Sequence, residues 1–283
     1  MAQGLDKKKG PEAVSLSKRL RMLADMVTPG NRVADVGCDH GFLSIYLVQA
    51  GICPAALAMD VRTGPLEAAK GHVAACGLGS YIEVRLSDGL SACGAGEADA
   101  VVCAGMGGRL MERILTEGMD RARQMRELIL QPQSEIPQFR AFLREAGFAV
   151  VQEDAVFEEG KYYFAMKAAY RCGGRQPERV HRQQICDSYG EGLLAQRHPV
   201  LLQYLLQREA YVRKLQASLL EAGSRKAGER LEEVRRELAE IGEALVFYAM
   251  PEGDGGFSGP GGICSQSCER NARREMEERN KGD

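Results

Sequence analysis

The chain has 283 residues and a formal net charge of −2, with 45% hydrophobic and 27% charged residues, which suits a globular protein with a sizeable core. The balanced charge argues against a uniformly basic nucleic-acid-binding protein, although local basic patches stay open. Nine cysteines without a CxxC pair favour reduced thiols over a disulfide framework or a zinc site. No apolar run approaches the roughly 20 residues of a membrane span, so we expect a cytoplasmic protein with no metal and no membrane partner.

The first part of the chain predicts an α/β domain. Residues 1–14 are polar and predict a disordered leader, and an amphipathic helix over Ser15–Val27 follows. Strand and helix patterns then alternate. The predicted strands are Arg32–Val36, Ala56–Asp60, Tyr81–Leu86, Ala98–Cys103 and Glu127–Leu130. The predicted helices between and after them are Phe42–Ala50, Pro65–Cys76, Arg109–Thr116 and Pro137–Ala146.

Two β-rich runs, Phe148–Phe157 and Lys161–Tyr170, end this domain as a hairpin. Strict alternation throughout would suit a nucleotide-dependent dehydrogenase. A closing pair with one antiparallel strand is instead typical of class I methyltransferases, and such mixed sheets are physically ordinary. The sequence therefore predicts a Rossmann-like class I methyltransferase sheet of seven strands, one of them antiparallel, over residues 15–170.

Beyond residue 170 the pattern becomes helical. A linker precedes a helical segment that is interrupted near Pro199. Apolar residues then recur at heptad spacing on two successive runs, with Arg208 at one seam position. They are Leu201, Leu205, Val212, Leu215 and Leu219 on the first run and Leu231, Val234, Leu238, Ile241, Leu245 and Tyr248 on the second. This spacing predicts a helical coiled-coil hairpin over residues 178–250, followed by a disordered tail over 251–283.

A glycine-bearing turn joins the first predicted strand to its helix in the pattern Asp35-x-Gly37-x-Asp39-x-Gly41. Ligands bind at such corners because the strand's carboxyl end and the helix N-terminus present free backbone N–H groups. The pattern differs from the dinucleotide motif GxGxxG and resembles the motif by which S-adenosylmethionine-dependent methyltransferases hold their cofactor. We expect Gly37, Cys38 and Gly41 to bring the backbone close to the cofactor. Asp35 would fix its methionine amine, or alternatively cap the next turn.

Acidic residues also end the second and third predicted strands. Asp60, followed by Val61, is placed to accept hydrogen bonds from ribose hydroxyls, at a spacing of about 20 residues from the glycine turn that is typical of nucleotide-binding βαβ units. In Ser87-Asp88-Gly89, Asp88 would hydrogen-bond the adenine amino group; the alternative is a simple acid–glycine turn. Three acids at successive strand ends favour a cofactor site.

The run from Ala104 to Gly108 follows the fourth predicted strand, where the transferred methyl group would emerge. We expect Ala104, Gly105 and Met106 to border the cofactor, and Gly107 and Gly108 to let a flat base approach. The alternative is a tight turn into the next helix. The Asn-Pro-Pro-Tyr signature of exocyclic-amine methyltransferases is absent, which argues against methylation of adenine N6 or cytosine N4.

Together these motifs resemble the bacterial tRNA (adenine-22-N1)-methyltransferase family, TrmK, from about Leu16 to Tyr248. Six stretches carry the resemblance: Leu16-Ser-Lys-Arg-Leu20, Asp35-Val-Gly-Cys-Asp-His40, Ser87-Asp-Gly-Leu90, Ala104-Gly-Met-Gly-Gly108, Leu128-Ile-Leu-Gln-Pro132 and Glu159-Gly-Lys-Tyr-Tyr163. The helical hairpin is a second family trait. One departure is Gln131-Pro132-Gln133, where the family usually has Gln-Pro-Asn.

The resemblance implies transfer of a methyl group from S-adenosylmethionine to N1 of an adenine in the D-arm region of tRNA. Asp39 is the candidate catalytic residue, because it stands where most methyltransferases carry glycine; the alternative is that it caps the following helix. His40 would contact the substrate, or simply begin that helix. The candidate substrate-binding residues are Lys18, Arg19, Gly107, Gly108, Gln131 and Tyr162.

Two other functions stay open from the residues alone. One is a methyltransferase that acts on a small molecule or a protein, with the helical hairpin as a dimerisation arm. The other is a non-enzymatic S-adenosylmethionine-binding module. The sequence leaves the oligomeric state open.

Overall fold

A computed structural model describes residues 14–171, 180–222 and 225–249. The predicted leader up to residue 13, most of the predicted linker and the predicted tail lie outside the described residues. The strands are β1 Val33–Val36, β2 Ala56–Asp60, β3 Ile82–Leu86, β4 Ala100–Met106, β5 Glu127–Pro132, β6 Phe148–Glu158 and β7 Lys161–Tyr170. The helices are α1 Lys18–Met26, α2 Phe42–Gln49, α3 Thr63–Ala75, α4 Gly108–Glu117, α5 Met119–Gln124, α6 Ile136–Glu145, α7 Val180–Tyr189, α8 Glu191–Ala195, α9 Pro199–Ala222 and α10 Arg225–Ala249.

The seven strands form one sheet in the order β3-β2-β1-β4-β5-β7-β6. Neighbours from β3 to β5 pair in parallel, and β7 pairs antiparallel with both β5 and β6. The predicted methyltransferase-type sheet is therefore confirmed. Val36 at the end of β1 is level with Met59 of β2 and Cys103 of β4, so the carboxyl ends of the central strands meet at one edge.

Helices cover both faces of the sheet because the central strands are apolar on both sides. The core on one face includes Leu23 of α1, Ile45 of α2 and Val73 of α3. The core on the other face includes Met111 of α4 and Phe139 of α6. The order of helices therefore follows from strand order, and the loops that follow the parallel strands all reach the same edge.

Three elements differ from the prediction. β4 continues through Ala104 to Met106, which the sequence assigned to a loop, because a bulge at Gly105 lets the strand go on pairing with β5. The short helix α5 was not predicted. The helical segment before Pro199 is broken a second time at Gly190, which has a φ of 90° and separates α7 from α8.

The predicted helical hairpin is formed by α9 and α10. Leu205, Val212, Val234 and Ile241 lie buried between the two helices, while Arg208 at the predicted polar seam position donates to Glu237 over 2.5 Å. The same core contains Phe164 of β7 and Leu193 of α8, so the hairpin packs on the sheet rather than standing apart from it. Within the described ranges, no helix combines the length and apolar character that a membrane span requires.

A buried ion pair ties the helical segment to the sheet. Arg140 Nε of α6 lies 2.9 Å from Glu153 Oε1 of β6, and the two side chains are 6% and 1% exposed. Arg140 Nη1 also donates to the backbone carbonyls of Asp187 and Ser188, and the Gly192 N–H donates to Glu153 Oε2 over 2.8 Å. The pair thus satisfies backbone groups of α7 and α8 as well as its own charges.

Candidate active site

The predicted glycine turn lies at the carboxyl edge of the sheet. The backbone N–H groups of Gly37 and Cys38 both donate to the Met59 carbonyl, over 2.8 and 2.9 Å, which ties the turn to β2. Gly37 has a φ of 75°, and a Cβ there would collide with the Met106 side chain. The positive φ favours glycine at this position, and the missing Cβ leaves room for the end of the Met106 side chain.

Asp35 lies behind this turn and is 5% exposed. Its Oδ2 accepts a hydrogen bond from Ser44 Oγ of α2 over 2.7 Å. Burial raises the pKa of Asp35 to about 6, although the bond from Ser44 lowers it. Burial likewise raises the pKa of the Cys38 thiol far above its ordinary value. A carboxylate that is costly to ionise is stabilised by a cationic group, which is a common feature of ligand sites.

Asp60 ends β2 and is also buried, at 4% exposure. Its Oδ2 accepts the Asp39 N–H over 3.3 Å, and its Oδ1 accepts the Arg62 N–H over 2.9 Å. The Arg62 guanidinium lies 3.4 Å from the same oxygen. Asp60 therefore links the glycine turn to the loop that follows β2, where the next residue, Val61, is exposed.

The Asp39 side chain points outward from the turn. Its backbone is in the left-handed region, with a φ of 50°. Its carboxylate is 60% exposed and lies 3.7 Å from His40 Nε2 and 3.9 Å from Arg62 Nη2. α2 begins after Gly41, and no side chain caps its N-terminus. The alternative interpretation of Asp39 as a helix cap is therefore wrong.

The bulge in β4 lies beside the glycine turn. Gly105 has a φ of 76°, and its Cα faces the Arg19 guanidinium, which would lie 3.6 Å from a Cβ added there. Met106 lies across Gly37 and receives a hydrogen bond from the Cys103 thiol; Ala104, before the bulge, is half-buried.

Gly107 and Gly108 allow two loops to approach each other. A Cβ on Gly108 would lie 2.7 Å from the Ser134 carbonyl oxygen, and one on Gly107 would lie 3.0 Å from the Ser134 hydroxyl. Gly108 is buried as the first residue of α4. The second glycine therefore contacts protein, which fits the tight-turn alternative for that position.

Helix α1 brings Arg19 next to the β4 bulge. Glu158 at the end of β6 accepts the backbone N–H groups of Lys18 and Arg19, over 2.6 and 3.1 Å, and so fixes the start of α1. Arg19 Nη1 donates to the buried Gln131 over 3.2 Å. Its guanidinium lies over the Tyr163 ring, 5.6 Å from the centroid. Lys18 is exposed.

Tyr163, which the sequence analysis did not list among the substrate-binding residues, is the tyrosine that lies beside Arg19. The predicted residue, Tyr162, packs edge-on against Tyr204 of α9, with ring centroids 5.3 Å apart. Adjacent residues of a strand point to opposite faces, so only one of the two tyrosines can face α1. The alternation of β7 puts Tyr163 on the same face as Lys167, which donates to the α1 carbonyl of Met26.

The Ser87 hydroxyl in the turn after β3 makes its hydrogen bonds within the same turn. Ser87 Oγ donates to the Gly89 carbonyl and accepts the Ala92 N–H, over 2.9 and 3.1 Å. Asp88 instead faces outward, with 55% of its side chain exposed and Arg113 3.4 Å away. Of this triplet, Asp88 is the side chain that a ligand can reach.

The geometry and the comparisons with known proteins agree on the family. Residues 16–166 match the family described as a methyltransferase domain. A Bacillus subtilis protein named tRNA (adenine(22)-N(1))-methyltransferase is 39% identical over 155 residues, which cover 55% of this chain and 65% of that protein, slightly less than two thirds of its length. The crystal structure of B. subtilis TrmK, an M1A22 tRNA methyltransferase, matches with a TM-score of 0.71 at 30% identity, over 82% of this chain and 99% of that one. The chain belongs to the TrmK family of methyltransferases.

A second TrmK-like structure carries a ligand. The structure of Streptococcus pneumoniae Sp1610 in complex with S-adenosyl-L-methionine matches with a TM-score of 0.70 at 31% identity. The match covers 82% of this chain and 100% of that one. Within the described part of the present TrmK-family chain, no three His, Cys, Asp or Glu side chains are grouped to hold a metal ion.

Proposed function

We propose that this protein transfers a methyl group from S-adenosylmethionine to N1 of an adenine in tRNA, the family's position 22 in the D-arm region. The observation that carries the proposal is the match to B. subtilis TrmK over 82% of the chain. Because 82% of the chain is more than the α/β domain alone, the match extends into the helical hairpin. A small-molecule methyltransferase would need the hairpin only as a dimerisation arm.

The residues at the edge of the sheet fit the cofactor. The turn at Gly37 lies at the carboxyl ends of the parallel strands, where ligands bind in such sheets. The two buried carboxylates, Asp35 and Asp60, suit its cationic amine and its ribose hydroxyls, and exposed Asp88 suits the adenine amino group. Bound there, S-adenosylmethionine supplies an electrophilic methyl group. The proposed cofactor contacts are completed by Cys38, Gly41, Val61, Ala104, Gly105 and Met106, and by the backbone of Ser87 and Gly89.

Asp39 and His40 are the proposed catalytic residues. Adenine N1 has a free lone pair, so it needs no strong base before it attacks the methyl group. The methylated adenine is cationic, and the Asp39 carboxylate can stabilise that charge or hold the exocyclic amino group. His40 Nε2 lies 3.7 Å from the carboxylate and can orient it toward the substrate.

Substrate binding is assigned to the loops around the mouth of the site, beside Asp39, and to exposed cations. Lys18, Arg19, Gln131 and Gly107 border the proposed entrance, and Lys18 is free to meet phosphate. Two other exposed arginines are already paired with acids, because Arg21 pairs with Asp25 and Arg213 pairs with Glu209. We assign methyl transfer to residues 15–170 and tRNA contact to this mouth and the appendage over 178–250.

A cytoplasmic location completes the proposal. The thiols of Cys38, Cys53 and Cys103 are free and buried in the core, which fits a reducing compartment. The tRNA substrate is found in the same compartment.

The decisive experiment incubates the protein with labelled S-adenosylmethionine and unmodified tRNA, digests the RNA to nucleosides and identifies the labelled product. We expect 1-methyladenosine, and none from a tRNA that carries guanosine at the target position. Label in protein or in a small molecule would favour the broader methyltransferase function. Cofactor binding with no transfer at all would favour a binding module.

A further inference from the structure

Three aromatic side chains lie side by side next to Asp39. The ring of Phe42, the first residue of α2, stacks on that of His72 of α3 with centroids 4.7 Å apart and planes inclined by 22°. The His40 ring lies 5.9 Å from each of the other two. Phe42 is 39% exposed, although most of the following residues of α2 are buried. The cluster therefore offers an aromatic surface beside the Asp39 carboxylate.

The cluster is held in a fixed geometry. His72 Nδ1 lies 3.0 Å from the His40 carbonyl oxygen. Because a carbonyl only accepts, Nδ1 carries the hydrogen, and the imidazole plane is fixed by a bond between α3 and the glycine turn. Phe42 packs against that plane rather than into the core. An oriented, partly exposed ring stack needs little further ordering when it meets a ligand.

The reacting atom explains why such a surface is useful. Adenine N1 lies on the Watson–Crick edge, so it is accessible only when the base is unpaired or turned out of its stack. The neighbouring bases then lose a stacking partner. Exposed aromatic side chains replace such stacking, at about 1–3 kcal/mol per base, or roughly 5–150-fold in affinity.

We propose that Phe42 and His72 form a stacking platform for an unpaired nucleobase of the tRNA adjacent to the methylated adenosine. The inference rests on the proposed function and extends it, because it names the surface that holds the opened substrate. The platform and Asp39 belong to one segment of chain, since the glycine turn connects them. A base on the platform would therefore position the target adenine relative to Asp39.

The test compares Phe42→Leu, which keeps an apolar side chain but removes the ring, with Phe42→Tyr, which keeps the ring. Tyr81→Leu is the matched control, because Tyr81 is an exposed aromatic residue (54%) that precedes β3 at the opposite edge of the sheet. We expect Phe42→Leu and His72→Ala to weaken tRNA binding about tenfold. Phe42→Tyr and Tyr81→Leu should bind like the wild type, and cofactor affinity should stay constant in all four.

A direct readout places 2-aminopurine on either side of the target adenosine and follows its fluorescence. Stacking on the platform should quench the probe at one of the two positions with the wild type and Phe42→Tyr, but not with Phe42→Leu. The inference is overturned if Phe42→Leu binds tRNA within about twofold of Tyr81→Leu and quenches the probe equally. It is also overturned if His72→Ala leaves both readouts unchanged. Formation of 1-methyladenosine by the wild type in the same assay separates this failure from a failure of the proposed function.

Discussion

Asp39 is the residue at which backbone strain and chemistry coincide. A φ of 50° disfavours most side chains, and Asp tolerates it better than most but less well than glycine. The side chain caps no helix and leaves its carboxylate in the open. Strain that serves no packing purpose is consistent with the catalytic role proposed for this carboxylate.

We predict opposite effects of Asp39→Gly on stability and on turnover. Glycine relieves the left-handed backbone, so the free energy of unfolding should rise by up to about 1 kcal/mol. Methyl transfer should fall about 100-fold because the electrostatic stabilisation of the cationic product is lost. Urea unfolding and single-turnover kinetics measure the two effects. Asp39→Asn should keep the fold and the cofactor affinity while it lowers turnover, and a loss of stability in Asp39→Gly would contradict the assignment.

Asp35 predicts an unusual pH dependence of stability. Its pKa is raised from an ordinary value of 3.8 to about 6 in the folded protein. The folded state therefore holds the proton more tightly than the unfolded state. The contribution of Asp35 to stability is present in full below pH about 4 and is lost as the pH rises through about 6, a change on the order of 3 kcal/mol.

The measurement compares the wild type with Asp35→Asn, which cannot ionise but keeps an acceptor for Ser44. Between pH about 4 and pH about 7, the variant should gain stability relative to the wild type by this amount in ligand-free urea titrations. The difference isolates Asp35 from other groups such as Asp99, whose pKa is lowered to about 2 by its hydrogen bond with Arg32. A difference that does not change with pH would refute the argument.

At this scale the sequence predicted which residues gather but not which way each side chain faces. Acids at the ends of β1, β2 and β3 are visible in the chain, because strand ends are marked by the switch from apolar to polar residues. The choice between Tyr162 and Tyr163 depends on the alternation of side chains along β7. An error of one residue in that alternation puts every side chain on the wrong face of the sheet. The positive φ of Asp39 depends on the hydrogen bonds of the turn and has no separate signal.

At the scale of elements, the Arg140–Glu153 pair joins α6, β6 and the start of the helical segment. A Cβ added at Gly190 would lie only 2.6 Å from Glu153 Oε1, so a side chain is excluded at this position. The turn between α7 and α8 therefore closes tightly around the carboxylate. The helical segment is therefore anchored by a polar contact inside the protein and not only by its apolar seam.

We predict that Arg140→Ala lowers the free energy of unfolding by about 3–5 kcal/mol, because it leaves the Glu153 charge buried without a partner. Arg213→Ala is the matched control, since Arg213 pairs with Glu209 on the exposed face of α9, and it should change stability by no more than about 0.5 kcal/mol. Thermal and urea unfolding give both values. Similar values for the two variants would show that the buried pair contributes no more than a surface pair.

Most helices and strands were predictable, because buried runs and heptad spacing are local properties of the chain. Features that depend on a distant partner were not. β4 extends beyond Cys103 only because β5 continues beside it through the bulge. The break at Gly190 follows from the position of Glu153, which is 37 residues earlier in the chain.

For the whole molecule, the net charge of −2 means that the proposed tRNA substrate must be attracted by local cations. We predict that Lys18→Ala reduces the slope of log affinity against log salt concentration by about one. Arg21→Ala, on the same helix, is the control, because Arg21 is already paired with Asp25 over 2.9 Å and its loss should change the slope little. Equal slopes for wild type and Lys18→Ala would exclude a phosphate contact by Lys18.

The position of β7 between β5 and β6 has a consequence for the synthesis of the protein. β6 leaves the ribosome before β7 but has no place in the sheet until β7 lies beside β5. Until residue 170 has emerged, β5 therefore presents an open edge, and the nascent chain carries unpaired strands that favour aggregation. The antiparallel pair can dock as a preformed hairpin, because its turn spans only Glu159 and Gly160. Completion of the domain thus depends on its last strand. A nascent chain that stops in β6 would have a sheet that ends at β5, with β6 unpaired.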